Sequence, residues 1–173
     1  MSSARKNATV RRVQYAALPY RRGAHSRTQV MLVTSRETGR WIIPKGWPKK
    51  RKAPYASAAR EALEETGIVG EVGRDPIGSY SYKKRLKSGV VVACEVQVFP
   101  LEVKRQQKRW PEKGERELRW FSPTDAARAV QEPVLREIIR TFPRARRRIV
   151  PSNACKVTNQ SGCAPMRHLA PGH

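Results

Sequence analysis

Three glutamates crowd one short stretch of the chain: Glu61, Glu64 and Glu65 fall within "REALEETG", residues 60–67. Residues three and four apart on a helix share a face, so Glu61 stands beside both Glu64 and Glu65. Like charges at that spacing repel and weaken the helix that carries them. Carboxylates so placed are hard oxygen donors, the kind that suit Mg²⁺ or Mn²⁺. A divalent ion would relieve the repulsion and could clamp a diphosphate at the same place. The plainer explanation is a solvated acidic face. Against it, a Gly- and Pro-containing loop precedes the helix and presents it rather than burying it in a longer one.

The acidic row is set in a basic chain. The 173 residues hold 36 Lys+Arg against 14 Asp+Glu, a formal net charge of +22. A field of that size favours polyanionic partners: phosphorylated small molecules, nucleic acid or an anionic membrane surface. An anionic spot inside a cationic groove is what metal-dependent cleavage of a polyphosphate requires. The length is a prior for one domain, and 39% hydrophobic residues suffice for a core. No apolar run reaches the length of a membrane span. The basic opening "MSSARKNATVRRVQY" has no apolar centre and does not read as a secretory signal. Cys94, Cys155 and Cys163 are an odd, scattered set that fits free thiols in a reducing cytoplasm. Together with His168 the last two match no compact zinc pattern.

The elements that must position the glutamates follow from local pattern. Strands are expected at 13–21, 28–36 and, after a turn at 37–40, at 41–44. The segment "KGWPKKRKAP", 45–54, is expected to hold no regular structure, because Gly46, Pro48 and Pro54 punctuate it. Pro54 suits a first helical turn, and 55–66 follows as a helix. Its apolar face is Ala58, Ala59, Ala62 and Leu63, and Gly67 is its stop, with Ile68 packing back as in a Schellman motif. Further strands are expected at 77–84, 90–103 and 117–122, with a basic hairpin tip at 83–89 and a polar loop at 104–116. Ser122 opens a helix over 123–130. A second helix over 132–142 carries an apolar face of Val134, Leu135, Ile138, Ile139 and Phe142. Residues 1–142 therefore read as the domain and 143–173 as a flexible basic tail. The fold class is α+β, an α/β/α sandwich with mixed strands.

Residues 46–68, "GWPKKRKAPYASAAREALEETGI", resemble the Nudix box, G-x5-E-x7-R-E-U-x-E-E-x-G-U with U aliphatic. Gly46, Arg60, Glu61, Ala62, Glu64, Glu65, Gly67 and Ile68 match; Lys52 stands where the family has its first glutamate. The resemblance implies a Nudix-type sandwich with a mixed sheet and a pyrophosphohydrolase using Mg²⁺ or Mn²⁺. It makes Glu61 and Glu65 the principal metal ligands and Glu64 both a ligand and an activator of water. Arg60 would orient a neighbouring glutamate. The general base would be Glu64 or one of Glu112, Glu115 and Glu117. Lys52 leaves the metal ligands intact but removes a residue that supports the loop, and it could face substrate phosphate instead.

The flanks "RWIIPKGWP" and "GSYSYKK" resemble the diphosphoinositol polyphosphate and dinucleoside polyphosphate hydrolase type. Lys45, Lys49, Lys50, Arg51 and Lys52 on one side, and Lys83, Lys84, Arg85 and Lys87 on the other, supply cations for a highly phosphorylated substrate. Lys45, Lys49, Lys83 and Lys84 are the expected substrate contacts. Trp47, Tyr80 and Tyr82 could stack on a base, but the plainer role is core or groove wall. Two rival functions stand beside this one: a Nudix enzyme acting on nucleotides or RNA 5′ ends, and a non-catalytic polyanion-binding module.

Overall fold

The computed structural model describes residues 12–23, 27–86, 88–146 and 155–156, with backbone only for 144–146 and 155–156. The rest of the expected tail, Lys87, Cys163 and His168 lie outside the described residues.

The centre of the sheet is a long parallel pair. Strand β1 (Arg12–Arg22) runs beside β7 (Val91–Gln106), in register from Arg12 opposite Cys94 to Tyr20 opposite Glu102. Both strands then divide their outer edges between two partners. β1 pairs antiparallel with β2 (Thr28–Thr34) near its end and with β4 (Lys45–Gly46) nearer its start. β7 pairs antiparallel with β6 (Gly78–Arg85) along its first half and with β5 (Ile68–Val72) along its second. Short β3 (Trp41–Ile42) and β8 (Leu118–Phe121) both pair with β2. A two-residue strand β9 (Cys155–Lys156) pairs with β5.

Alternation along the strands builds a core on each face. Ala16, Leu18, Val30, Leu32, Val96 and Val98 point to one side and pack on α2 (Pro123–Ala129) and α3 (Pro133–Arg146). Ala17, Met31, Phe99 and Leu101 point to the other and pack on Ala58, Ala59 and Ala62 of α1 (Pro54–Thr66). The alanines let α1 lie close on the sheet. The expected α/β/α sandwich with a mixed sheet is observed.

Differences from the sequence expectation are local. Lys45 and Gly46 form β4 rather than loop, because β1 offers them a free edge that no local pattern announces. Residues 83–85 continue β6, with Arg85 paired opposite Val91, and 104–106 continue β7. Gly67 ends α1 in the left-handed region at φ 72°, its N–H bonded to Leu63 O at 2.9 Å. The Ile68 N–H goes to Thr66 Oγ1 at 3.3 Å, so the cap is the simpler left-handed type and not a Schellman motif. A Cβ at Gly67 would also strike the Trp110 ring. Leu135, Ile139 and Phe142 form the buried stripe of α3, whereas Val134, about 100° round the helix from Leu135, is 54% exposed. The helix passes Pro143 and ends at Arg146, beyond the boundary expected at 142. Ser122 caps α2 as expected, its Oγ accepting from the Asp125 N–H at 3.1 Å.

Candidate active site

The glutamates sit where α1 crosses β4. Glu61 and Glu65 are buried and Glu64 is half-buried, so the row faces the protein and not bulk water. Gly46 makes this possible. It pairs with Tyr15 in β4, and a Cβ there would overlap the Glu61 carboxylate. The glycine at the head of the box is thus a seat for the first glutamate of the row.

Each carboxylate has a cation. Lys49 Nζ lies 2.8 Å from Glu61 Oε1 and 3.1 Å from Glu64 Oε2. Arg60 Nε donates to Glu64 Oε1 at 2.6 Å, an i,i+4 pair with the geometry of an orienting arginine. Glu65 turns the other way. Its Oε1 accepts from Arg116 Nη2 at 2.9 Å, and its Oε2 is buried with no hydrogen-bond partner. Arg116, only 6% exposed, also donates to Glu112 Oε2 at 2.9 Å and to Thr34 O at 3.0 Å. The Glu112 N–H in turn donates to Glu64 O at 3.1 Å and ties the 107–116 loop to α1.

These partners shift the titrations. Burial, with Glu61 and Glu112 adding repulsion, pushes Glu65 up to about 7 against the pull of Arg116 and Lys45. Burial would raise Glu64 too, but hydrogen bonds from Arg60 and Lys49 outweigh it and hold its carboxyl below the ordinary value. The hydrogen bond to Glu61 raises Lys49. Burial drops Lys45 to about 8 despite the attraction of Glu65 and Glu132.

Around the row opens a cleft of about 770 Å³. The expected metal ligands Glu61, Glu64 and Glu65 and the expected substrate contacts Lys45, Lys49, Lys83 and Lys84 all line it, and Arg60 reaches it through Glu64. Lys45 of β4 and Lys83, Lys84 and Arg85 of β6 line the same cleft as the glutamates. Lys45 Nζ stands 5.3 Å from the Tyr82 ring and Lys84 Nζ 5.1 Å from that of Trp47, so those rings are groove wall. Tyr80 belongs to the core. Lys49 lines the cleft too, but it is spent on the glutamates and does not stand free for substrate. Lys50, Arg51 and Lys52 are exposed and outside the cleft, so Lys52 does not face a substrate there. Of the loop acids proposed as base, Glu112 lines the cleft; Glu115 pairs with Arg36 at 3.0 Å, and Glu117 is exposed.

Sequence reasoning missed Arg116 and Arg40. Arg116 lies in a polar loop of which only the acids stand out in the sequence, and its partners Glu65 and Thr34 are far away in the chain. Arg40 joins the cleft wall to Gln131 at 3.0 Å and Glu132 at 3.2 Å. No local pattern marks either one.

The residues fit a divalent ion. The donor set is three carboxylates, a buried Glu65 oxygen is without a partner, and Gly46 leaves room for Glu61. The expected convergence is incomplete, however. Among the described residues no three acidic, His or Cys side chains stand gathered as ligands, because Lys49 and Arg116 draw the carboxylates to separate partners. Among those residues, too, no helix is long and apolar enough to cross a membrane.

Known proteins share this architecture. The chain is 33% identical over 108 residues to Nudix hydrolase 13, mitochondrial, of Arabidopsis thaliana, covering 58% of this chain and 52% of that one. It is 30% identical over 106 residues to diphosphoinositol polyphosphate phosphohydrolase 3-beta of Bos taurus, covering 60% of each. The chain thus spans about half to two thirds of the length of the curated relatives it matches. The fold superposes on a C. elegans Ap4A hydrolase binary complex with a TM-score of 0.58 at 18% identity, covering 79% of this chain and 98% of that chain. A family model described as NUDIX domain matches residues 11–142, most of the chain, and on that match the chain belongs to the NUDIX domain family.

Proposed function

We propose that the chain is a metal-dependent hydrolase that cleaves the P–O–P linkage of a highly phosphorylated small molecule. Diphosphoinositol polyphosphate or a diadenosine polyphosphate is the substrate proposed. One observation carries this: a row of three glutamates, Glu61 and Glu65 buried and Glu64 half-buried, lines one cleft together with Lys45, Lys83 and Lys84. The names of the bovine relative and of the C. elegans structure support the substrate class.

Glu61, Glu64 and Glu65 would hold Mg²⁺ or Mn²⁺. The bound ion would supply polarisation of a phosphoryl oxygen and a lowered pKa for water. Arg60 fixes the Glu64 carboxylate. Lys45, Lys83 and Lys84 neutralise the phosphates, whose attraction to each cation strengthens as the cleft excludes water. Glu64 or Glu112 takes the proton of the attacking water, the new P–O bond forms, and the bridging oxygen leaves with the second phosphate. The buried free thiol of Cys94 accords with a cytoplasmic location.

The test is a substrate panel with Mg²⁺ or Mn²⁺: diphosphoinositol polyphosphate, diadenosine polyphosphates, ADP-ribose, nucleoside triphosphates and triphosphorylated RNA. Expected are turnover of the first two and its loss with EDTA. Preference for ADP-ribose or simple triphosphates would overturn the substrate, and no turnover of any member would overturn the reaction. Preference for the RNA would favour nucleic acid as the partner.

A further inference from the structure

Lys49 places one ammonium between carboxylates of two residues, Glu61 Oε1 at 2.8 Å and Glu64 Oε2 at 3.1 Å. That is where a divalent ion would sit to relieve the same pair. Two cations held between the same pair of carboxylates repel each other at short range, so ammonium and metal compete for this seat. Neither carboxylate can simply retreat. Glu61 is buried against Gly46, and Glu64 is held at its other oxygen by Arg60.

Lys49 itself can move. Its main chain is anchored, the N–H donating to Ser57 Oγ at 3.3 Å and the carbonyl accepting from the Lys52 N–H at 3.2 Å. Its side chain is flexible, 37% exposed and open to the cleft. A swing about its own torsions would move the charge from the glutamates into the space between them and Lys84.

We propose that Lys49 is an exchangeable internal counter-ion. In the metal-free chain its ammonium occupies the seat between Glu61 and Glu64, and metal binding expels it into the cleft, where it meets substrate phosphate. This rests on the metal-dependent reading above and deepens it. Lys49 keeps the substrate contact expected from sequence, but only after the ion has taken its place. The metal-free site also stays compact without an ion, because the like charges on α1 are never left bare.

The experiment labels amines of the wild-type chain with limiting acetic anhydride, in EDTA and in Mn²⁺, and reads Lys49 and Lys50 by peptide mass spectrometry. Lys49 acetylation is expected to rise severalfold with Mn²⁺, while exposed Lys50 stays constant. In parallel, Mn²⁺ uptake is titrated by electron paramagnetic resonance. Lys49→Met should bind Mn²⁺ about tenfold more tightly than wild type, a change of ~1.4 kcal/mol, because the competing cation is gone. Mn²⁺ uptake with unchanged Lys49 labelling would overturn the proposal, and so would equal or weaker Mn²⁺ binding by a folded variant. Failure of the wild-type chain to take up Mn²⁺ at all would instead overturn the metal reading, and this proposal with it. Labelling needs no variant, so misfolding of Lys49→Met would not shield the idea.

Discussion

Two basic side chains serve the same acidic row in opposite ways. Lys49 comes from the loop before α1, is 37% exposed, and touches two carboxylates with a flexible ammonium. Arg116 comes from the loop before β8, is 6% exposed, and spreads a planar guanidinium over Glu65, Glu112 and the Thr34 carbonyl. The first is a contact that solvent and ions can enter. The second is a buried network in which each partner depends on the others. The same formal charge pairing is thus exchangeable at one end of the row and architectural at the other, and burial decides which.

The largest effect should come from the carboxylates themselves. Glu64→Gln or Glu65→Gln keeps shape and removes a charge, and kcat should fall by about 10²–10⁴-fold, the range for a lost proton-transfer or charge-bearing group. Circular dichroism should show the fold retained. Near-normal turnover in either variant would remove that glutamate from the mechanism.

The contrast between the two cations predicts a stability difference. Arg116→Met strands Glu65 and Glu112, and should cost about 3–5 kcal/mol in urea denaturation, as when one partner of a buried ion pair is lost. Lys49→Met acts on a partly exposed pair and should cost no more than ~1 kcal/mol without metal. Equal losses would mean that burial does not separate the two. Gly46→Ala tests the seat between them. Its new methyl overlaps the Glu61 carboxylate, and overpacking of this kind costs about 1–3 kcal/mol. Mn²⁺ affinity should fall with it, while Arg116 and Glu65 stay as they are. A Gly46→Ala variant with normal Mn²⁺ binding would show that Glu61 can be seated elsewhere.

How far the sequence reveals this site depends on range. Pro54, the alanine face and Gly67 act within one or two helical turns, and α1 lies as its residues predict. The β-branched run of β7 is equally local. By contrast, β4 exists because Tyr15 and Ala16 of β1 pair with it, some thirty positions away. The row of glutamates was legible as a motif, but its partners were not. Lys49 stands 12 positions before Glu61, within a loop whose path no periodicity fixes, and Arg116 stands 51 positions after Glu65. Chain separation, more than residue type, hides such contacts. Lys52 illustrates the converse. Its departure from the family pattern is plain in sequence, yet it is exposed and does not line the cleft.

The smallest effect is a pH dependence with two opposite slopes. Burial drops Lys45 from lysine's ordinary 10.5 to about 8. Below about pH 8 the amine is charged in folded and unfolded chains alike, and the fold bears the full cost of burying it. Between about 8 and 10.5 the unfolded chain binds the extra proton and the folded one does not, so this group makes stability rise with pH. Phosphate attraction runs the other way, since the cleft loses a positive charge as Lys45 discharges. Substrate KM should therefore rise above pH 8 while the denaturation midpoint gains from the same group. Lys45→Met removes both slopes, and the difference between wild type and variant isolates them from other titrations in that range. If the two proteins trace parallel KM profiles from pH 7 to 10, Lys45 is packing in the cleft wall and its charge does not reach the substrate.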